Sequence, residues 1–233
     1  APGGSMVAVP GVGGRTWAWL LDGESLAPLT KIEWMDGDQD RGSNTFVAIS
    51  PDRQHLLSRT VQDHALRLWN AQTGELLRRL SGHTQSIMYM TFSPDGRFAL
   101  SGSFDGTARL WDVSTGAETQ RFTIPIGGVI DVAFSPDGRF VLTGGTDTKS
   151  RLWGVESGEQ IRVFAGHEDS VTAVDFSPDG RYVITGSDDN TVRRWRVDLD
   201  AVIAVACNQL PRDFTEVERL HYGITDSEPT CPP

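Results

Sequence analysis

The sequence has little of three things that mark large classes of proteins. It contains only two Cys, too few for a four-cysteine zinc site or a disulfide framework. No apolar run approaches the roughly 18 residues of a membrane-spanning helix, so we expect no membrane contact within these residues. Asp and Glu number 31 against 21 Lys and Arg, for a formal net charge of −10. Because nucleic-acid binding rests on basic side chains, this balance argues against a nucleic-acid partner.

What the chain does have is an internal repeat, which must be recognised before any other pattern is interpreted. The tetrapeptide Ser-Pro-Asp-Gly and a tryptophan each recur three times at steps of 42 residues. The tetrapeptides begin at Ser93, Ser135 and Ser177, and the tryptophans are Trp111, Trp153 and Trp195. A weaker copy runs from Ser50 to Trp69, and the spacing from Ala1 to Trp19 fits the same pattern. The chain therefore holds five copies, the first of which begins in mid-repeat.

Each copy has the pattern of four short strands. Val171, Val174 and Phe176 precede the Ser-Pro-Asp-Gly turn as one buried strand, and Tyr182 and Ile184 alternate after it as a half-buried one. A third strand ends at the tryptophan, and a turn glycine five residues later leads into an outer fourth strand. Four antiparallel strands in about 42 residues are the signature of a propeller blade. We predict an all-β fold, a β-propeller of about five blades over residues 1–197.

The motif from Gly82-His83 to Trp111-Asp112 resembles the WD-repeat pattern along its whole length, and the resemblance covers residues 1 to about 197. In WD-repeat propellers a His, a Ser or Thr, an Asp and a Trp of one blade form a hydrogen-bonded tetrad. The resemblance implies complete tetrads at His83, Ser101, Asp105 and Trp111, and at His167, Thr185, Asp189 and Trp195. It also implies two partial tetrads. In these the position equivalent to His83, here called the His column, holds another residue. One is Ser58, Asp63 and Trp69, with Asp40 in the His column, and the other is Thr143, Asp147 and Trp153, with Pro125 in the His column.

A recurring His and Asp could also form a catalytic dyad. Recurrence at a fixed period favours the structural interpretation, because an active site is needed once and a structural bond is needed in every blade. The other histidines, His55, His64 and His221, show no metal-ligand spacing and are expected at the surface. The sequence has no P-loop, no His-Glu-x-x-His and no Gly-x-Ser-x-Gly motif. We therefore predict that the chain is not an enzyme and needs no metal or cofactor.

The chain departs from the repeat after Trp195. Residues 197–207 have the pattern of a short helix rather than of an outer strand, and in WD-repeat propellers a strand from the N-terminus completes the last blade. That strand would lie before Ala1. Since unpaired edges are liabilities and propellers have four to eight blades, we expect a chain truncated from a larger ring rather than a five-bladed one.

Residues 198–233 are predicted to form a short C-terminal helical tail. Thr215 and Glu218 form a capping box and Gly223 is a stop signal, which predicts a helix over about 216–222. The tail resembles the C-terminal segment of bacterial WD-repeat signalling proteins. Cys207 and Cys231 flank this helix, and either a disulfide between them or two reduced thiols is compatible with the sequence.

We expect the chain to be a cytoplasmic, non-enzymatic scaffold or sensor that binds protein partners through its loops. The loop positions expected to contact a partner are Phe104, Thr146, Asp188, Thr84, Gln85, Glu168 and Asp169. The alternative is the regulatory propeller of a bacterial signalling NTPase or nucleotide cyclase whose catalytic domain precedes residue 1. A purely structural solenoid segment is a third interpretation. Fold alone does not decide among them.

Overall fold

The computed structural model describes backbone and side chains of residues 46–59, 64–197 and Thr215, and the backbone of three further strands near the N-terminus. The chain divides into two compact units, residues 1–123 and 124–233. The described residues form strands joined by turns. No helix in this part of the chain is long and apolar enough to cross a membrane. The predicted tail helix and both cysteines lie outside the described residues.

Unit 1 contains three antiparallel sheets, which are here called the first, second and third blades. The first blade consists of β1 (Met6–Pro10), β2 (Trp17–Asp22) and β3 (Pro28–Glu33). The second consists of β4 (Val47–Ile49), β5 (His55–Arg59), β6 (Leu66–Asn70) and β7 (Leu76–Leu80). The third consists of β8 (Ile87–Phe92), β9 (Phe98–Ser103), β10 (Thr107–Asp112) and β11 (Glu118–Thr123). Within each blade, strands adjacent in sequence pair as antiparallel neighbours.

Unit 2 contains the fourth and fifth blades, built on the same plan. The fourth consists of β12 (Val129–Phe134), β13 (Phe140–Gly145), β14 (Lys149–Gly154) and β15 (Gln160–Ala165). The fifth consists of β16 (Val171–Phe176), β17 (Tyr182–Ser187) and β18 (Val192–Arg196). The predicted all-β fold of four-stranded antiparallel blades is confirmed, and the strands begin and end where the 42-residue repeat places them.

The Ser-Pro-Asp-Gly segments join the first and second strands of a blade through their side chains. In the third blade, the Ser93 hydroxyl donates to Asp95 Oδ1 at 2.6 Å, and the backbone N–H of Phe98 donates to Ser93 Oγ at 2.9 Å. The hydrogen bond from Ser93 holds the pKa of Asp95 below its usual value. The same bonds recur at Ser135 and Ser177. The tetrapeptide therefore fixes the hairpin geometry in these three copies.

The core lies between neighbouring blades, which pack face to face. In unit 1, Leu57 and Leu68 of the second blade share a buried cluster with Met90, Phe92 and Trp111 of the third. An equivalent cluster in unit 2 joins the fourth and fifth blades. Alternate residues of a strand point to opposite faces, so within each unit the apolar residues of one face meet the neighbouring blade of that unit.

Removing the Trp111 indole tests this packing. Its side chain is only 2% exposed, so Trp111→Ala should lower the free energy of unfolding by about 3–5 kcal/mol through the cavity it leaves. Chemical denaturation followed by circular dichroism measures the change. Leu77→Ala, at a side chain 38% exposed, is the control and should cost about 0.5 kcal/mol or less. Equal losses in the two variants would contradict the packing described here.

Candidate functional site

The four predicted tetrad residues of the third blade form one hydrogen-bonded chain. His83 Nδ1 donates to Asp105 Oδ2 at 2.8 Å, since a carboxylate can only accept. His83 Nε2 is hydrogen-bonded to the Ser101 hydroxyl, also at 2.8 Å. The Trp111 indole N–H donates to the same hydroxyl oxygen at 3.0 Å. This series of hydrogen bonds links Trp111 on β10 to the loop that carries His83.

Asp105 is the most heavily bonded member of this tetrad. Its carboxylate also accepts from the backbone N–H of Thr84 at 3.0 Å and from the Thr107 hydroxyl at 2.6 Å. Burial by itself would raise the pKa of Asp105, but the hydrogen bonds from His83, Thr107 and Thr84 outweigh it and hold that pKa far below its usual range. The carboxylate is therefore ionised in the folded protein at every ordinary pH.

The fifth blade repeats the arrangement in unit 2. His167 Nδ1 donates to Asp189 Oδ2 at 2.8 Å and Nε2 bonds the Thr185 hydroxyl at 2.7 Å. The Trp195 indole N–H donates to Thr185 Oγ1 at 2.9 Å. As in the third blade, burial opposes ionisation, yet hydrogen bonds hold the pKa of Asp189 far below its usual value. The backbone N–H of Glu168 also donates to Asp189.

The fourth blade keeps the Trp–Thr bond and replaces the histidine by an arginine. Trp153 Nε1 donates to Thr143 Oγ1 at 3.0 Å. With Pro125 in the His column, Asp147 has no imidazole partner, and Arg151 donates to both of its carboxylate oxygens, at 3.1 and 2.5 Å. Sequence analysis missed Arg151 as the partner of Asp147. The signal was present, because an arginine stands two residues before the tryptophan in four copies: Arg67, Arg109, Arg151 and Arg193.

In the second blade, the structure describes only part of the predicted set. The Trp69 indole N–H donates to Ser58 Oγ at 2.9 Å. Asp63 and Asp40 lie outside the described residues. The structure describes two of the three histidines that were expected at the surface, His55 and His64. Both are half-buried.

The ring nitrogens of the tetrad histidines are used in hydrogen bonds within their blades. His83 is 7% exposed and both its ring nitrogens are bonded within the blade. His167 is buried to the same degree and is bonded in the same way. Among the described residues, no group of three or more His, Cys, Asp or Glu could hold a metal ion. The arrangement therefore stabilises the blade and orients the loops beside it.

The loops next to the tetrads carry the predicted partner-binding residues. In unit 1, Thr84 and Gln85 are exposed and Phe104 is 40% exposed. The backbone of this loop pair is held by the Thr84 N–H bond to Asp105 and by the Phe104 N–H, which donates to the Ser86 carbonyl at 3.0 Å. The tetrad thus fixes the loops while their side chains stay exposed.

The equivalent loops of unit 2 are acidic. Glu168, Asp169 and Asp188 are all exposed, and the Asp188 N–H donates to the Ser170 carbonyl at 3.0 Å. Thr146 differs from the other predicted contacts, because it is half-buried and its hydroxyl oxygen accepts from the Gly128 N–H at 2.9 Å. Six of the seven predicted loop positions are therefore exposed, and Thr146 has a structural hydrogen bond.

One further carboxylate, which the sequence analysis did not single out, joins the inner strands of the fourth and fifth blades. Asp131 on β12 accepts from the Val174 N–H of β16 at 2.7 Å and from the Val132 N–H at 2.9 Å. Burial is the main effect on this group, and nearby Asp175 adds to it, so the pKa of Asp131 is raised to about 6. Its protonation state therefore changes within a mildly acidic range.

Loss of the Asp105 carboxylate tests the tetrad. Asp105→Ala leaves His83 Nδ1, the Thr107 hydroxyl and the Thr84 N–H without their acceptor, which should lower the free energy of unfolding by about 1–3 kcal/mol. Urea denaturation measures this change in the free energy of unfolding. The control is Asp95→Ala, because Asp95 is an exposed turn carboxylate of the same blade and its loss should cost less. A smaller loss for Asp105→Ala than for Asp95→Ala would contradict the role given to Asp105.

The raised pKa of Asp131 predicts a pH dependence of stability. A carboxyl whose pKa is higher in the folded than in the unfolded protein favours folding while it is protonated, so its contribution falls as pH rises from about 4 to about 6. We expect the stability difference between Asp131→Asn and wild type to shift by about 1–3 kcal/mol in favour of the variant across that interval. Thermal melts at pH 4 to 7 measure the stability difference between the variant and wild type. A difference that stays constant with pH would contradict the prediction.

Comparison with known proteins agrees with this architecture. The family description "WD domain, G-beta repeat" matches residues 74–112, 119–154 and 158–196. The chain is 36% identical over 69 residues to a periodic tryptophan protein 2 homolog of Neurospora crassa, covering 30% of this chain and 8% of that protein. It is 44% identical over 59 residues to the nuclear distribution protein PAC1 of Arthroderma benhamiae, covering 25% and 13%.

A third relative is the small ribosomal subunit protein RACK1 of Dictyostelium discoideum, 32% identical over 72 residues, which cover 28% of this chain and 22% of that protein. The chain thus spans less than a quarter of the length of each of these relatives. The matches to the family description lie within residues 74–196 and carry no information about the tail. The three matched segments are WD repeats, and with these relatives they support a WD-repeat family for the chain.

Proposed function

We propose that this chain is a protein-interaction scaffold that binds its partners through the loops beside the tetrads. The observation that carries the proposal is the contrast between buried and exposed polar groups at one end of a blade. His83, Ser101 and Asp105 use their polar atoms within the blade. The loops that they hold expose Gln85 and Phe104 to solvent.

The loops of the two units favour different contacts. In unit 1, Phe104 offers an aromatic ring on a loop whose backbone is already fixed, so little conformational entropy is lost when a partner buries the ring. In unit 2, Glu168, Asp169 and Asp188 present carboxylates to solvent, which suits a basic partner surface. We propose that Phe104 makes an apolar contact and that the unit 2 carboxylates steer and orient basic partners.

The proposal is for a non-enzymatic role in the cytoplasm. The alternative, a regulatory propeller of a bacterial signalling NTPase or nucleotide cyclase, depends on the tail, which lies outside the described residues. The relatives reported above are eukaryotic proteins and give it no support. Their names point to nuclear distribution in one case and to the small ribosomal subunit in another, so no single partner is carried over to this chain.

Paired loop variants test the proposal in a pull-down from the source lysate. Phe104→Ala with Gln85→Ala should reduce recovery of a partner that wild type captures, because it removes the exposed ring and the adjacent amide. Leu77→Ala removes an apolar side chain of similar exposure, 38% against 40%, from an outer strand of unit 1, and it should leave recovery unchanged.

The same design applies to unit 2. Glu168→Gln with Asp188→Asn should weaken capture of basic partners and reduce the salt dependence of that capture. Glu156→Gln with Glu159→Gln, at an exposed turn away from these loops, also removes two negative charges and is the control. Melting temperatures of all variants should stay close to wild type, since surface changes usually alter stability by about 0.5 kcal/mol or less. Equal recovery by wild type and both loop variants would overturn the proposal.

A further inference from the structure

The loop before β12 carries the most exposed large apolar side chain among the described residues. Ile126 is 76% exposed, and the sequence analysis did not single it out. The equivalent positions of the third and fifth blades hold Thr84 and Glu168, which are polar. One exposed apolar side chain is common on protein surfaces and indicates no function by itself. Two further observations, on the loop that holds Ile126 and on the neighbouring loops, give it a role.

The loop that carries Ile126 is fixed by hydrogen bonds and by backbone geometry. The Thr146 N–H donates to the Gly128 carbonyl at 3.0 Å, and the Gly128 N–H donates to Thr146 Oγ1 at 2.9 Å. Gly127 has a φ of 86°, which glycine adopts without strain. On the other side of Ile126, the ring of Pro125 restricts φ. Because the loop is already ordered, a partner that buries Ile126 loses little conformational entropy there.

The fourth and fifth blades stack in register at this end. Asp131 on β12 accepts from the Val174 N–H on β16, across 43 positions of the sequence, which is one more than the repeat. A β-carbon at Gly144 would stand only 2.9 Å from the Val171 carbonyl oxygen, so the end of β13 packs closely against the start of β16. Equivalent parts of the two blades therefore lie side by side, and the loop before β12 lies next to the loop before β16.

The loops of the fifth blade at this end are acidic. Glu168, Asp169 and Asp188 are all exposed. In the loops of both blades at this end, which the structure describes in full, the one exposed cation is Lys149. Ile126, Glu168, Asp169 and Asp188 are here called the unit 2 loop surface. This surface is apolar on the fourth blade and acidic on the fifth.

Charge decides which occupant fits the unit 2 loop surface. Nucleic acids and anionic lipid headgroups carry phosphates, which carboxylates repel. A second copy of this surface would bring three carboxylates against three, in a chain whose formal net charge is −10. A protein segment that has Lys or Arg next to a large apolar residue fits both parts of the surface, because it pairs with the carboxylates and buries the isoleucine.

We propose that the unit 2 loop surface binds a basic segment of a partner protein in which a large apolar residue adjoins Lys or Arg. The apolar side chain packs on Ile126, and the basic side chains pair with the carboxylates of the fifth blade. This inference rests on the scaffold function proposed above and names the partner chemistry of the unit 2 loops. Burial of the apolar side chain supplies affinity, whereas the charges set the orientation and the rate of association.

A peptide library tests this chemistry without knowledge of the natural partner. Random dodecamer peptides displayed on phage are selected on the immobilised 233-residue protein, and enriched sequences are synthesised with a fluorescein label. The enriched peptides should carry a large apolar residue within two positions of Lys or Arg and should show saturable binding by fluorescence anisotropy. A selection that enriches no peptide, or only peptides without this pairing, would overturn the proposal.

Variants of Ile126 assign the apolar contact. Ile126→Ser should weaken binding of the enriched peptides about tenfold, because one buried apolar contact is lost. Ile161→Ser is the control, at an isoleucine 46% exposed on the outer strand β15 of the same blade, and should bind as wild type does. Replacing the apolar residue of the peptide by Gly should weaken binding to wild type but hardly alter binding to Ile126→Ser. Equal affinity of Ile126→Ser and wild type would refute the contact.

Further variants separate this inference from the scaffold function. Glu168→Gln with Asp188→Asn should weaken peptide binding and reduce its salt dependence, whereas Phe104→Ala with Gln85→Ala should bind the peptides normally. Circular dichroism checks that each variant is folded. If Ile126→Ser binds normally while the carboxylate variant loses partners from the lysate, the scaffold function stands and the apolar contact is wrong. If no loop variant alters recovery of any lysate partner, the scaffold function itself is wrong.

Discussion

The tryptophan of the third strand is the residue on which each of the second to fifth blades depends. Its ring fills the space between neighbouring blades, as Trp111 does at 2% exposure. Its N–H bonds a buried hydroxyl, at Ser58, Ser101, Thr143 and Thr185 in the four blades described with side chains. A single side chain thus contributes both to apolar burial and to the polar network, and both constraints hold it at a fixed step in the sequence.

The polar network varies more than the apolar core. In the third and fifth blades, an imidazole connects the hydroxyl to a buried carboxylate. In the fourth, Arg151 satisfies Asp147 directly while the Trp153 bond to Thr143 remains. The physical requirement is that a buried carboxylate be paired, and either an imidazole or a guanidinium meets it. This explains how a proline in the His column is tolerated without an unpaired acid.

Features available for binding are those that the repeat does not use internally. The side chains of Thr84 and Glu168 stay exposed because the tetrad carboxylates bond the backbone N–H groups of these two residues. Recognition by such a scaffold then depends on side chains that vary between copies, whereas stability depends on those that recur.

The sequence by itself determined the strand order and the hairpins, because the 42-residue period carries both. The resemblance to WD repeats implied the pairing of Trp111 and Trp195 with their hydroxyls and of His83 and His167 with their aspartates. Only the tertiary structure decided that Arg151 bonds Asp147 and that Asp131 on β12 accepts from Val174 on β16. Both contacts join residues whose proximity depends on how strands align or blades stack. Burial at those places, and hence the raised pKa of Asp131, follows from packing that no local pattern records.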